Sequence, residues 1–233
     1  MEPARKRQLL AQSELLRDMP AGEIEALAAS ATWRTYRRGQ QVFDQESDNK
    51  DVFFVAEGRV RVTIFSSTGR EVSFRDLPAG ASFGELSAID GQPRSASVVA
   101  LSPAVLASLP RDRFWALLRR QHGVTERLLK NLATLVRNLS ERVVDYGTLP
   151  VQNRIQAELV RMAREAGVQK NRAVLAPVPR HADIASRVAT NREAVARELS
   201  RLARAGILER DRSGLVVNDV AALSAMIEKV REN

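Results

Sequence analysis

From about Val124 to Tyr146 the chain carries its longest helical signal, and that stretch limits the folds open to it. Leu128, Leu132, Leu135, Leu139, Val143 and Tyr146 step by fours and threes, the spacing of a coiled-coil seam. An apolar seam of that length is unfavourable in water. It must be buried against its own domain or, the better alternative, against the same helix of a second copy in a parallel homodimer. The chain ahead of it has a different period. From Trp33 to Leu109, short β-rich runs alternate with turn residues: VFFVAEGRVRVTIF at 52–65, STGR at 67–70, EVSFRDL at 71–77, PAG at 78–80 and SASVVAL at 95–101. Many short strands so spaced predict a barrel or a double-sheet jelly roll. Apolar residues from Leu9 to Leu27 predict packing helices over 8–29, broken by MPAG at 19–22, and RDRFWALLRR predicts a short helix at 111–120.

A length of 233 residues suits two domains and a connector. No window approaches eighteen uninterrupted apolar residues, and MEPARKRQLLAQSELL lacks an apolar signal core. Neither export nor membrane attachment is expected, which places the protein in the cytoplasm. With no cysteine, disulfides, thiolate zinc sites and iron–sulfur clusters are excluded. His122 and His181 lie far apart in sequence, so no metal or haem site is expected. The formal charge of +8 calls for an anionic partner, and its distribution narrows the choice. Residues 151–217 hold thirteen Lys or Arg against seven Asp or Glu, which favours a nucleic-acid-binding module there.

Residues 83–96, FGELSAIDGQPRSA, carry the ligand chemistry. Gly84 lets the backbone approach a ligand. Glu85 offers a carboxylate suited to a ribose hydroxyl, Arg94 a planar fork of donors for a phosphate, and Ser95 a hydroxyl and an N–H. Singly, a Gly-Glu pair is a common turn and an Arg-Ser pair an ordinary strand edge. Together in an apolar setting, Glu85 and Arg94 are expensive to desolvate unless they pair with each other or with a ligand. FGEL, a short loop and RSA at this spacing resemble the phosphate-binding cassette of cyclic-nucleotide-binding domains in the catabolite activator, or CRP-FNR, family. The resemblance implies ligand contacts from Gly84, Glu85, Leu86, Arg94 and Ser95. It also places two base-reading positions on the long helix at Leu139 and Ser140. Leu139 stands where cyclic-AMP receptors carry a threonine, and Leu135 where a basic residue is frequent. These departures leave cyclic AMP against cyclic GMP open; Asn131, Asn138 and Ser140 suit either base, or are ordinary surface residues. Lacking cysteine, the chain also differs from the family's cluster-binding oxygen sensors.

GTLP at 147–150 reads as a hinge, followed by an amphipathic helix from 151 to about 166. Then comes PRHADIASRVATNREAVARELSRLARAG at 179–206. Ile184, Ala185 and Val188 form one apolar face, Ala189 to Asn191 a turn, and Val195, Leu199 and Leu202 a second face, which is helix-turn-helix spacing. An ordinary helical hairpin has the same periodicity. Asn191 as N-cap would put Arg192, Glu193 and Arg197 where they reach base edges. ILERDRSGLVV at 207–217 predicts a wing, and Arg180 and Arg212 are further candidates for DNA contact. NREAVAR resembles the family's recognition helix, which implies a palindromic target with TGTGA-like half-sites.

The expected fold is therefore α+β: a β-roll with flanking helices at 1–122, a dimerisation helix at 123–146, a hinge at 147–150 and a winged helix-turn-helix at 151–233. The expected function is a homodimeric transcription regulator controlled by cyclic AMP or cyclic GMP. By resemblance its partners are double-stranded DNA, a second copy through residues 124–146, and RNA polymerase. One alternative is a nucleotide-independent regulator whose β-roll is a scaffold. No nucleophile with an adjacent base and no phosphate-binding loop of the NTPase type is present, so enzymatic activity is not expected.

Overall fold

The computed structural model describes residues 1–65 and 71–231, with the side chains of 71–74 outside that description. Its contacts divide the chain into two compact units, Met1–Leu135 and Val136–Asn233. The turn expected at 67–70 lies outside the described residues.

The first unit opens with helix α1 (Pro3–Leu10), a 3-10 turn at Glu14–Leu16 and α2 (Ala21–Ser30). α1 starts earlier than the apolar pattern indicates, because Pro3 is pre-set for the first helical turn. Eight strands follow: β1 (Thr32–Tyr36), β2 (Gln41–Phe43), β3 (Val52–Glu57), β4 (Arg59–Phe65), β5 (Glu71–Pro78), β6 (Ser82–Phe83), β7 (Ser97–Ala100) and β8 (Ala104–Leu109). They form two antiparallel four-stranded sheets, ordered β1-β8-β3-β6 and β2-β7-β4-β5, which is the double-sheet roll. β3 explains how the roll is covered. Its VFFVA run does not alternate, because both faces are buried. Phe53 and Val55 point between the sheets with Phe83, Val98 and Leu106; Val52 and Phe54 point outward to the helices.

Between β6 and β7 the chain makes a short helix, α3 (Glu85–Asp90); after β8 come α4 (Arg111–Arg120) and the long α5 (His122–Thr148). α5 keeps Leu132, Leu139, Val143 and Tyr146 of the expected seam but puts Leu129 and Val136 in place of Leu128 and Leu135. Leu128 is buried in the first unit's helical core and Leu132 packs partly against it. Besides Val144 (52%), which stands outside the row, the exposed apolar side chains of α5 are Leu129 (61%), Val136 (62%), Leu139 (37%), Val143 (70%) and Tyr146 (41%). With Leu132 these fall into two rows of seven-residue repeat, the a and d positions of a heptad. Adjacent apolar pairs such as Leu128–Leu129 and Leu135–Val136 let two phases fit the same periodicity, and the core claims Leu128.

In the second unit α5 runs on through Gly147 to Thr148, where the sequence pattern put an interruption, and Leu149 N–H still donates to Asp145 C=O at 3.0 Å. Then follow α6 (Val151–Ala166), β9 (Ala173–Leu175), α7 (His181–Arg187), α8 (Arg192–Arg204), β10 (Leu208–Arg210), β11 (Leu215–Val217) and α9 (Val220–Arg231). The small sheet is ordered β10-β11-β9. Ile155 and Leu159 of α6, Ile184 of α7, Val195 and Leu202 of α8 and Leu223 of α9 close one core. Among the described residues, no helix is long and apolar enough to cross a membrane.

Candidate functional site

The segment from Phe83 to Ala96 is more ordered than the loop its sequence suggests. ELSAID forms α3, bounded at both ends by left-handed glycines, Gly84 (φ 87°) and Gly91 (φ 76°). Six residues are too few to show helical periodicity. At the end of α3, Arg111 Nε and Trp115 Nε1 donate to Ala88 C=O at 2.8 and 3.0 Å, tying the segment to α4. Gly84 is required twice over. Its backbone is left-handed, and a Cβ there would lie 2.7 Å from Arg94 Nη1 and 2.9 Å from Asp51 O.

Arg94 is 3% exposed and folds over an aromatic floor, with Cζ 4.2 Å from the Phe43 ring centroid and 5.6 Å from that of Phe53. Its Nη1 donates to Gly84 O (2.9 Å), and its Nη2 to Asn49 Oδ1 (2.5 Å) and Asp51 O (2.6 Å). All three acceptors are neutral. Nε is buried and has no partner. Burial lowers the Arg94 pKa to about 10, although Asp51 and Glu85 act against it. Glu85 does not pair with Arg94. Its Oε2 is buried without a hydrogen-bond partner, and burial pushes its carboxyl up against the opposing pull of its own backbone N–H, Arg75 and Arg94. An anion at Arg94 Nε and a hydroxyl donor at Glu85 Oε2 would satisfy both orphaned atoms. Leu86 and Ser95 of the same segment are exposed. Leu139 and Ser140 lie on exposed surface of α5 and belong to the second unit.

The second unit presents another set of polar groups. Asn191 Oδ1 accepts from Ala194 N–H at 2.8 Å and caps α8. Val195 and Leu202 anchor the helix inward, leaving Arg192, Glu193 and Arg197 exposed. Arg192 Nε donates to Glu193 Oε1 at 2.8 Å, an interaction that favours both ionised forms. Arg180 pairs with Asp183 ahead of α7, and Arg212 is exposed in the turn between β10 and β11. That turn is held by Asp211, whose Oδ1 accepts from Ser213 N–H (2.7 Å) and Gly214 N–H (3.1 Å).

Two family models match the chain, one on each part. Residues 33–121 match the family model of the cyclic nucleotide-binding domain, and 153–226 that of the Crp-like helix-turn-helix domain. The cyclic AMP receptor protein of Thermus thermophilus is 30% identical over 91% of this chain and 95% of its own. The chain belongs to the CRP-FNR family. It is a DNA-binding transcription regulator with a cyclic nucleotide-binding domain. Another CRP-FNR relative, the CRP-like cAMP-activated global transcriptional regulator of Mycobacterium tuberculosis, is 23% identical over 93% of this chain and 97% of its own. A CooA variant from Carboxydothermus hydrogenoformans shares the fold, with a TM-score of 0.76, 20% identity and coverage of 91% and 93%.

Sequence reasoning missed Asn49, Asp51 and Phe43, which surround Arg94 from 43 to 51 positions away in the chain, and no local pattern marks them. It also missed the buried acids Asp145 and Glu158. Charged residues on amphipathic helices read as solvent-facing until other elements are seen to cover them.

Proposed function

We propose that this CRP-FNR regulator takes a cyclic mononucleotide, cyclic AMP or cyclic GMP, in its β-roll and under its control binds palindromic DNA with TGTGA-like half-sites as a homodimer. The observation that carries the reading is Arg94: a buried guanidinium with neutral acceptors alone and an unpartnered Nε, beside an unpartnered buried Glu85 oxygen. A cation so placed is costly until an anion arrives. A cyclic phosphodiester supplies one negative charge, and its ribose supplies a hydroxyl for Glu85. Ser95 adds a hydroxyl at the rim. Ser140 is the base-contacting residue, while Leu139 offers the base no hydrogen bond. The names of the Thermus and Mycobacterium relatives make cyclic AMP the first ligand to test.

Dimerisation would bury the exposed row Leu129, Val136, Leu139, Val143 and Tyr146, which a monomer leaves in water. In the dimer Arg192, Glu193 and Arg197 of each copy would read one half-site, with Arg donating to guanine and Glu accepting from cytosine, while Arg180 and Arg212 meet phosphates. Residues 1–122 would form the effector domain, 123–146 the dimer helix and 151–233 the reader, with RNA polymerase as a further partner. The ligand would act by population shift, favouring the arrangement in which both readers fit successive major grooves.

Calorimetric titration with cyclic AMP and cyclic GMP in parallel, paired with DNA-binding curves with and without each, tests the reading. One nucleotide should bind at two per dimer and tighten DNA binding. Equal DNA affinity under all conditions and no heat from either nucleotide would leave the β-roll a scaffold.

A further inference from the structure

We propose that Asn49, in the loop between β2 and β3, is a positioning residue for the effector: it aims Arg94 at the ligand phosphate while leaving its charge uncompensated. The inference rests on the effector reading above. The loop holds the arginine from several directions. Arg94 N–H donates to Ser47 O at 3.0 Å, and Glu46 N–H donates to Arg94 O at 2.9 Å. Gln45 N–H donates to Ser97 Oγ at 2.9 Å, which stitches the loop to β7. Asn49 completes the grip on the side chain. Its Oδ1 accepts from Arg94 Nη2 at 2.5 Å and from Asp51 N–H at 3.0 Å. Both groups are donors, so the oxygen of the amide faces them.

The consequence follows from counting donors. Nη2 spends its two N–H groups on Asn49 and Asp51 O, and Nη1 spends one on Gly84 O. What remains for an anion is Nε–H and the second N–H of Nη1. Asn49 therefore selects which part of the fork meets the phosphate.

The identity of the residue is as informative as its place. The loop carries Asp44, Glu46, Asp48 and Asp51, yet the side chain that touches the guanidinium is an amide, and Asp51 touches it through its carbonyl. A carboxylate at 49 would give Arg94 an internal counter-ion and compete with the phosphate. An amide orients the cation without neutralising it.

Two variants test this against a merely structural role. Calorimetry with cyclic AMP and cyclic GMP in buffer free of phosphate and sulfate, together with thermal melts, is run on the full-length wild type, Asn49→Ala and Asn49→Asp. Asn49→Ala should bind nucleotide about five- to tenfold more weakly, the loss of one hydrogen bond to a charged group at a solvent-exposed position. Asn49→Asp should bind about thirtyfold more weakly or worse, yet melt about 1–3 °C higher, because it pairs the buried guanidinium. Opposite signs on affinity and melting are the signature. Wild-type affinity in both variants, or parallel loss of affinity and melting temperature in both, overturns the role of Asn49 alone. A wild type that binds neither nucleotide overturns the effector reading, and the role of Asn49 in ligand capture with it.

Discussion

Two of the places where the protein buries charge treat it in opposite ways. In the β-roll, Arg94 has three neutral acceptors and no ionic partner among the described residues. In the second unit, Glu158 is fully buried and accepts from three guanidiniums: Arg142 Nη2 (3.1 Å), Arg161 Nε (3.1 Å) and Arg187 Nη1 (3.2 Å). Asp145, 1% exposed, accepts from Arg161 Nη1 (2.7 Å) and Arg231 Nη2 (2.5 Å). These contacts join α5, α6, α7 and α9, and Tyr146 Oη adds a hydrogen bond to Arg187 O at 2.6 Å. Desolvating an ion costs several kcal/mol in either place. Where opposite charges meet the cost inside the fold, the result is a joint. Where neutral dipoles hold the ion and leave it charged, its field stays open to an incoming anion.

The comparison can be broken experimentally. The largest expected effect is that of Glu158→Gln, which removes the buried charge shared by Arg142, Arg161 and Arg187. It should lower the unfolding free energy of the second unit by about 3–5 kcal/mol in denaturant titration and leave nucleotide affinity in the β-roll unchanged. Arg94→Leu should do the reverse: nucleotide affinity falls by about 2–5 kcal/mol in calorimetry, while stability falls by no more than about 1–2 kcal/mol, because the three neutral acceptors lose their donor but no opposite charge is stranded. Destabilisation of several kcal/mol by Arg94→Leu would place Arg94 with the joint. A smaller effect sharpens the contrast. Arg142→Met leaves Glu158 with Arg161 and Arg187, so its cost should be about 1–2 kcal/mol, well below that of removing the acid they share.

What the sequence made legible was local. Short β-rich runs between turn residues marked the strands, the Asn191 cap and two apolar faces marked the reader, and Gly84, Glu85 and Arg94 sit close enough in the chain to be read as one cassette. Short or ambiguous signals misled. α3 spans less than two turns, and the seam admits two phases until the first unit's core takes Leu128. Glu85 and Arg94 were expected to pair with each other or with a ligand, and the structure leaves them unpaired. Long-range choices stayed hidden. Asn49 reaches Arg94 across 45 positions, and Glu158 looks like any charge on an amphipathic helix until Arg142 and Arg187 close over it.

The joint also sets a rotational phase. Arg142 and Asp145 fasten the last turns of α5 to the unit that carries α8, so residues 136–148 act as the shaft on which the reading helix is mounted. An α-helix turns by about 100° and advances about 1.5 Å for each residue. Deleting one residue at Ser140 or Glu141 would therefore turn Val136 and Leu139 by about 100° relative to Arg142 and Asp145, taking them out of row with Val143 and Tyr146. Evolution can revise the loops of such a protein one residue at a time, but this stretch of helix changes length only in near-whole turns.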